Sequence, residues 1–431
     1  MRFTVNLDKV KEILSTKTIS QTLITSSGTI VNGILGLVFY FVLARQLGPA
    51  AFGTFSVSVA ILTLIGDIAN VGSDTGMVRF VGKYINTDKI RAFKFLKLSL
   101  KVRIMIWLAV LSIGWFLVPG IVNGFFAKPE LIFPMRLALI GVGSYLLFSF
   151  STYALQSLQK YWIWNGVNIG TNLIRLLITL ALIYFGFLSA NTFLSVYILV
   201  PFLGFLAGLM FLPKFFDVEN EKEVAGEFFR YNIWIALFTL VAAFGGRVDT
   251  LLSTSLLSLH DVGIYSSALQ LSSIIPQIVF AIGTVVAPKL AGFDSDLKAK
   301  LYLKKVQIFT IFMAIFGIAV GIPLSKFIIP ILYGGSYLQA IGPFIVLLFA
   351  QAIFLISVPA HTSIFYYFEY PKLFVFISFG NILITVGAGW YLISNYGFMG
   401  AAYAVLLGNI FNFIVPGLWV LAKFRHSKNE N

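Results

Sequence analysis

The stretch that decides the fold is Ala44–Lys83, ARQLGPAAFGTFSVSVAILTLIGDIANVGSDTGMVRFVGK. A Leu-Gly-Pro turn precedes a mostly apolar run, 51–75, which is interrupted by the carboxylates Asp67 and Asp74. A membrane-spanning helix needs about 20 mainly apolar residues. A charged side chain inside such a span has a high free-energy cost and usually marks a functional site. The stretch therefore predicts a spanning helix that carries functional carboxylates.

The composition of the whole chain agrees with a membrane protein. Its 431 residues are 58% hydrophobic and 11% charged, with a mean hydropathy of +0.91, whereas soluble proteins carry about 25% charged residues. The net charge of +14 lies in short segments between apolar runs, as the positive-inside bias requires, so nucleic acid is not an expected partner. The chain has no cysteine, which excludes disulfides and thiolate metal sites. The three histidines are far apart, so we expect no metal and no cofactor beyond a coupling ion, a proton or sodium.

Apolar runs of spanning length divide the chain into twelve predicted transmembrane helices. They are 19–43, 51–75, 96–122, 132–157, 161–186, 190–212, 229–255, 261–287, 305–332, 339–363, 371–394 and 398–421.

Lysine and arginine predict the orientation of these spans. With the N-terminus inside, only Arg45, Lys128 and Lys326 fall in outer loops, and most other basic residues fall in inner ones. We therefore expect a multi-pass protein of the cytoplasmic membrane with both termini in the cytoplasm. The first 18 residues mix both charge signs and indicate a cytoplasmic lead rather than a cleaved signal peptide.

An internal repeat becomes visible when the chain is shifted by about 210 residues. The shift places Gly53 on Gly263 and the polar Asp67 on the polar Gln277. Six spans per half give both halves the same orientation, so the expected fold is an all-α integral membrane protein with two parallel six-helix repeats around a central cleft. The predicted domains are an N-terminal bundle 1–212, a cytoplasmic linker 213–228 and a C-terminal bundle 229–431.

The segments between spans give no sign of an enzyme. The longest basic one, 76–95, alternates basic and apolar residues and is typical of an interfacial helix on anionic lipid headgroups. No phosphate-binding Gly-Lys-Ser loop is present. Asp294-Ser295-Asp296 resembles a metal-binding triplet, but no nucleotide-binding domain surrounds it.

Three arginines within predicted spans are candidate substrate-binding residues. Arginine stays protonated, so Arg175 near the middle of its span either lines the cleft and contacts an anionic group or pairs with a carboxylate such as Asp67. Arg247 and Asp249 are two residues apart and point to different sides of a helix, so Arg247 is a second cleft candidate. Arg136 lies near the outer end of its span, where it either binds substrate or reaches the headgroups.

The carboxylates within predicted spans are candidates for coupling or gating. Asp67 can act as a titratable switch that loads a proton or sodium ion, or form a structural ion pair. Asp249 belongs to the same set. Asp74 and Arg79 lie at the inner edge, where a solvated salt bridge between them is the simpler interpretation.

With these features in place, the chain resembles the Wzx-type polysaccharide flippases of the multidrug/oligosaccharidyl-lipid/polysaccharide exporter (MOP) superfamily. The resemblance covers nearly the whole chain. The stretches that carry it are ARQLGPAAFG at 44–53, the region from Asp67 to Gly72, VRF at 78–80, Asp249, VGIYSSA at 262–268, PKL at 288–290 and YGFMGAA at 396–402.

The resemblance implies alternating access and a lipid-linked oligosaccharide cargo whose anionic diphosphate enters a cationic cleft while its polyprenyl tail stays in lipid. Expected partners are this cargo, membrane lipids and, beyond them, a glycan polymerase and glycosyltransferases. Two other functions stay open: a cation-coupled exporter of small organic molecules of the multidrug type, and a non-transporting membrane component of glycan assembly.

Overall fold

The computed structural model describes residues 17–219, 221–293, 295–370 and 372–426, and all regular structure in these ranges is helical. The all-α prediction is therefore confirmed. Most of the predicted cytoplasmic lead, and Asp294 of the Asp-Ser-Asp triplet, lie outside the described residues.

The described ranges contain thirteen α-helices, numbered here in chain order. They are α1 Lys17–Ala69, α2 Ser73–Tyr84, α3 Lys89–Ile121, α4 Ile132–Ser157, α5 Tyr161–Tyr184, α6 Ala190–Leu209, α7 Lys222–Gly245, α8 Val248–Leu256, α9 Leu259–Ser272, α10 Ile274–Ala291, α11 Asp296–Tyr333, α12 Ile341–Tyr366 and α13 Lys372–His426. Short 3-10 or π turns at Val122–Phe126, Pro129–Leu131 and Gly335–Ala340 complete the helical structure.

Ten helical segments within these ranges are long and apolar enough to cross a bilayer. A helix buries all its backbone hydrogen-bonding groups within itself, which is why helices can span lipid. The chain is a multi-pass membrane protein.

The two longest helices, α1 and α13, each contain one residue with a non-helical backbone. In α1 it is Gly48 (φ 70°, ψ 171°), and in α13 it is Gly397 (φ 59°, ψ −139°). Positive φ is accessible to glycine because it has no Cβ. The break at Gly48 falls in the Leu-Gly-Pro turn, where the sequence predicts a connection between two spans.

Three other breaks differ from the predicted spans. The span predicted at 51–75 ends at Ala69, because Val71 (φ 49°) and Gly72 (φ 69°) adopt left-handed conformations that no α-helix continues through. The span predicted at 229–255 is interrupted at 246–247, after the Gly245-Gly246 pair. The span predicted at 261–287 is divided into α9 and α10 at Ser273.

The chain divides into two compact units, each continuous in space but not in sequence. The first consists of Met1–Tyr40, Ile61–Gly120 and Ile132–Thr239. The second consists of Phe41–Ala60, Ile121–Leu131 and Leu240–Asn431. The domain limits expected from the sequence, with a linker at 213–228, stay a prediction.

In the first unit, the linker packs onto α2 and α3. Phe80 stacks on Phe95 with ring centroids 4.6 Å apart, and the linker residues Phe215 and Phe228 are buried in the same apolar cluster. Burial of these rings supplies apolar contact area that fixes the linker to the helices.

The sequence predicts one interfacial helix over 76–95, but this segment is divided between α2 and α3. The basic start of α3 binds the acidic linker. Asp88 caps α3 by accepting a hydrogen bond from the Arg91 backbone N–H at 2.9 Å, which ends the preceding helix and starts a new one. The Arg91 guanidinium lies 3.1 Å from Glu227, and the Lys94 ammonium lies 2.6 Å from Glu221. These two cations are therefore held by carboxylates of their own chain.

In the second unit, a close helix crossing joins the part of α1 after Gly48 to the start of α9. A Cβ built on Gly53 would lie 1.9 Å from the Leu259 carbonyl oxygen, and one on Gly263 would lie 1.9 Å from the Pro49 carbonyl oxygen. Only glycine permits an approach this close at both positions.

Candidate functional site

The candidate site of the first unit begins with Asp67, in the last turn of α1. Its Oδ1 accepts a hydrogen bond from the Tyr145 hydroxyl of α4 at 2.5 Å. Asp67 is half-buried, and no lysine or arginine of the described chain lies within 4.0 Å of its carboxylate. The structure thus pairs this predicted switch residue with a hydroxyl rather than with a cation.

Asp74, in the first turn of α2, is held by Arg103. The Arg103 guanidinium lies 2.6 Å from Asp74 Oδ1, and the Ser149 hydroxyl donates to the same oxygen at 2.6 Å. Asn70 donates to the other carboxylate oxygen. The Arg103 side chain is fully buried and also donates to the Leu146 carbonyl at 3.0 Å. The buried guanidinium and the largely buried carboxylate thus form an ion pair with additional hydrogen bonds, although the Arg103 Nε has no hydrogen-bond partner among the described residues.

The solvated salt bridge expected between Asp74 and Arg79 is wrong. The two residues are five positions apart in α2 and so lie on different sides of that helix. Arg79 is exposed and stacks on the Tyr231 ring, 4.3 Å from its centroid.

Arg175 forms the second polar feature of this unit. Its side chain lies between the rings of Phe39 and Tyr197, with the guanidinium carbon 4.6 and 4.8 Å from their centroids. It donates to the Asn172 side-chain oxygen, and Asn172 donates in turn to Asn32. The last bond joins α5 to α1.

The surroundings of Arg175 contain no carboxylate. The residue is 9% exposed, and within the described ranges no Asp or Glu oxygen lies within 4.0 Å of it. Its Nε atom is buried and has no hydrogen-bond partner among the residues that the structure describes. The pairing with Asp67 considered from the sequence is not formed, and Arg175 remains a buried cation whose neighbours are aromatic rings and amides.

Arg136, the third predicted cation, contacts Trp115 on α3. Its guanidinium carbon is 4.8 Å from the indole ring centroid, and the side chain is half-buried. Stacking of this kind holds an arginine at an aromatic surface, in agreement with the expected position near a span end.

In the second unit, the break after α7 positions Arg247 and Asp249. Arg247 immediately precedes α8 and donates to the Gly246 carbonyl at 3.3 Å. Asp249 lies in the first turn of α8, is 7% exposed and accepts a hydrogen bond from the buried Tyr265 hydroxyl. Asp67 and Asp249 thus share one chemistry: a carboxylate within an apolar segment bonded to a tyrosine.

Sequence reasoning missed Arg103, Tyr145 and Tyr265. Arg103 is the last member of a basic run at 79–103, and nothing in that run marks it as buried. The tyrosines lie in aromatic-rich spans, where a polar role cannot be read from spacing. Among the described residues, no group of three His, Asp or Glu side chains could hold a metal ion.

Comparison with solved structures identifies the fold. A multidrug resistance MATE family transporter of the MOP superfamily in an inward-facing conformation aligns with a TM-score of 0.73 at 13% identity, covering 91% of this chain and 96% of that one. The lipid II flippase MurJ aligns with a TM-score of 0.72 at 17% identity, covering 92% and 87%. A MOP superfamily transporter from Pyrococcus furiosus, described as having a binding pocket of reverse polarity, aligns with a TM-score of 0.63 at 15% identity, covering 94% and 95%.

No curated protein matches the sequence. The sequence profile of the polysaccharide biosynthesis protein family does match, over residues 19–293. This is well over half of the chain and includes both candidate site regions of the first unit. The chain has the fold of the MOP superfamily and belongs to the polysaccharide biosynthesis protein family.

Proposed function

We propose that the chain is a flippase that moves polyprenyl-diphosphate-linked oligosaccharide repeat units from the cytoplasmic to the outer leaflet by alternating access. The observation that carries this proposal is the buried cation Arg175. Membership of the polysaccharide biosynthesis protein family supports a glycan precursor as the cargo. Glycosyltransferases and a polymerase would act before and after this step.

The chemistry of Arg175 favours an anionic cargo. A guanidinium stays charged at any relevant pH, and a charge in an apolar span is costly, at about 2.5–3.5 kcal/mol on insertion scales. Stacking on Phe39 and Tyr197 offsets part of that cost. A diphosphate offers the acceptor oxygens that match the guanidinium donors, in charge-assisted hydrogen bonds. Arg247 and Arg136 are further candidates for contacts with the same cargo.

The proposed architecture has twelve spans in two parallel repeats around a central cleft, with both termini cytoplasmic. Of the ten spanning segments, Ile24–Ala69 has 46 residues and Lys372–Arg425 has 54. At 1.5 Å per residue these would be about 69 and 81 Å long, against a hydrocarbon core of about 30 Å. We therefore propose that each of these two segments supplies two spans, divided at Gly48 and Gly397. The ten segments then give twelve spans.

We assign coupling to Asp67 and Asp249. Each accepts a hydrogen bond from one tyrosine, and a carboxylate in an apolar environment can bind a proton or a sodium ion and release it when its surroundings change. Asp74 is neutralised by Arg103, so we assign it a structural role, and Arg79 with it.

The test is transport by the purified full-length protein in proteoliposomes, with a fluorescent polyprenyl-diphosphate oligosaccharide whose outward arrival is measured by a membrane-impermeant quencher. Arg175→Gln should lower the initial rate at least tenfold, and Arg175→Lys less. Lys101→Gln, which removes an exposed charge in α3, is the matched control and should transport normally. Wild-type rates in Arg175→Gln at equal protein would overturn the assignment of Arg175.

The same vesicles discriminate between the alternatives. A multidrug-type exporter would move small organic cations and not the lipid-linked sugar, which a cationic site disfavours. A non-transporting component of glycan assembly would move neither. In cells, loss of a flippase leaves no exported units, whereas loss of a polymerase leaves single ones.

A further inference from the structure

An apolar groove lies on the surface of the first unit between α5 and α6. Its volume is about 410 Å³, and its lining includes Gly166, Gly170 and Ile174 of α5 together with Leu203 and Gly204 of α6. Ile174 and Leu203 are about half exposed, so the groove opens outward. It is separate from the side chains that surround Arg175.

The glycines of the two helices have different roles in this groove. A Cβ on Gly166 or Gly170 would meet nothing within 4 Å, so these positions leave open space along α5. A Cβ on Gly204 would lie 2.4 Å from the Thr171 hydroxyl, so this glycine lets α6 approach α5 closely. The result is a floor formed by two closely packed helices with a recess above it.

The lining offers an occupant almost no polar contact. Its one hydroxyl belongs to Thr171, which donates to the Val167 carbonyl at 2.6 Å within α5. A hydrocarbon is therefore the favoured occupant, because it has no hydrogen bonds to give up when it enters the groove. The lining of α5 extends from Ile163 to Ile174, which at 1.5 Å per residue is about 16 Å, or half of the hydrocarbon core.

Two open positions on α5 favour a branched chain over a straight one. A Cβ on Gly166 or Gly170 would meet nothing within 4 Å, and the two positions are about one helical turn apart. These recesses provide space for side methyl groups of a chain that lies along the helix.

A basic residue stands at one end of the groove. Lys160 immediately precedes α5, is exposed and donates through its ammonium to the carbonyl of the lining residue Phe211 at 2.8 Å. A lysine ammonium has three donors, so the same group can also bind a phosphate oxygen. The charge complements an anionic head attached to a tail in the groove.

From these features we infer that the groove binds the first isoprene units of the cargo's polyprenyl tail, with the Lys160 ammonium bound to the adjoining diphosphate before that diphosphate moves to Arg175. A branched chain on a diphosphate matches both the recesses and the charge, whereas a phospholipid with unbranched chains matches only the charge. The inference rests on the proposed function for the identity of the cargo.

The experiment is photocrosslinking of the purified full-length protein in phosphatidylcholine nanodiscs. The probe is a polyprenyl diphosphate with a diazirine in an isoprene unit near the head. We expect label on peptides from 161–174 and 200–211, resistant to a tenfold excess of phosphatidylglycerol. Gly170→Leu, and independently Gly166→Leu, should lower the labelling at least fivefold. Gly317→Leu in α11, whose Cβ also has open space, is the matched control and should leave it unchanged.

Lys160→Gln tests the head contact separately. One lysine near a membrane surface contributes about 1 kcal/mol toward an anionic head, so labelling by the diphosphate probe should fall about fivefold. Labelling by a neutral polyprenol probe should not change. Equal loss for both probes would overturn the assignment of Lys160.

Undiminished labelling in both leucine variants, or displacement by phosphatidylglycerol as effective as by unlabelled polyprenyl diphosphate, would overturn the groove assignment. A variant is compared only if its melting temperature equals that of the wild type. One leucine variant that meets this condition is enough for the comparison. The transport assay is read independently: transport without groove labelling defeats this inference alone, and groove labelling without transport defeats the proposed function alone.

Discussion

Gly53 and Gly263 lie against each other so closely that neither position has room for a methyl group. The contact is reciprocal: Gly53 faces the carbonyl of Leu259, and Gly263 faces the carbonyl of Pro49, each at 1.9 Å from the position of a Cβ. Gly53 and Gly263 are 210 residues apart, and so are Pro49 and Leu259. A contact in which residue i meets j as j meets i is the mark of a local two-fold relationship, and it supports the proposed duplication.

Alanine at Gly53 or Gly263 should destabilise the protein. Overpacking a well-packed contact costs roughly 1–3 kcal/mol, and here the methyl would meet backbone that cannot rotate away. Because either methyl opens the same crossing, the double variant should lose less than the sum of the two. Thermal unfolding of the purified protein measures this, with Gly36→Ala, which has open space, as the control. Full additivity would show that the two glycines do not share one contact.

Removing one partner of the Asp74–Arg103 pair should be more damaging than removing both. Asp74→Leu leaves a fully buried guanidinium without its carboxylate, which costs about 3–5 kcal/mol. Asp74→Leu combined with Arg103→Leu should recover most of that loss. The comparison is made by thermal unfolding and by the yield of folded protein. A double variant less stable than Asp74→Leu would contradict a structural role.

Asn232→Leu should stabilise the protein. Asn232 is 2% exposed, and neither its amide nitrogen nor its carbonyl oxygen has a hydrogen-bond partner among the described residues. Replacing a buried, unsatisfied polar side chain by an apolar one of similar shape should raise the free energy of unfolding by roughly 1–3 kcal/mol. The matched control is Asn165→Leu, because the buried Asn165 amide donates to the Ile24 carbonyl at 2.6 Å and its loss should destabilise. A lower melting temperature for Asn232→Leu would show that the amide has a partner in another state of the protein.

Asp67→Asn should abolish the dependence of transport on an imposed pH or sodium gradient, because an amide can neither bind a proton nor supply the charge that attracts sodium. Tyr145→Phe removes only the hydroxyl that positions the carboxylate, so it should retain the dependence. Initial rates in proteoliposomes with and without each gradient measure both. Gradient-dependent transport by Asp67→Asn at the wild-type rate would refute the coupling role.

Acid should detach the linker from α3. The Lys94 ammonium, hydrogen-bonded to Glu221, lowers the pKa of that carboxyl below its usual 4.5. A lowered pKa in the folded state means that the contact stabilises fully above pH 4.5 and is lost as pH falls through the lowered value. Hydrogen–deuterium exchange of 213–228, corrected for the intrinsic rate, should therefore rise below pH 4.5. Glu221→Gln should show a smaller rise, because the contacts of Arg91 with Glu223 and Glu227 remain, and protection in the wild type that persists to pH 2 would contradict the contact.

The sequence predicts the helical fold well because apolar length is a strong signal. The break at Gly48 could be predicted from Leu-Gly-Pro. The break at Val71 could not, since valine rarely adopts positive φ. The neighbouring Gly72 packs closely against Ile235, which its Cβ would meet at 2.7 Å. The division after Gly245 was also missed, because two adjacent glycines are tolerated within many membrane helices.

The sequence identifies candidate residues of the site, but it does not predict which side chains contact them. Arg175 and Asp67 are identified by the cost of burying charge, which depends on sequence position alone. Their partners depend on which helices meet: Phe39, Tyr197 and Tyr145 are distant in sequence, and aromatic residues are too frequent in this chain to indicate a site. Arg103 was overlooked because it ends a basic run, and burial distinguishes it from the exposed members.

The aromatic cage around Arg175 also bears on how the chain enters the membrane during synthesis. An arginine near its middle makes α5 a poor segment for independent insertion. Asn32 and Phe39, which approach it from α1, are made about 140 residues earlier and can already be in place, while Tyr197 emerges later. Insertion of α5 would then depend on an α1 that is already inserted. A substitution in α1 can therefore lower the amount of correctly inserted protein without changing the site of the folded protein.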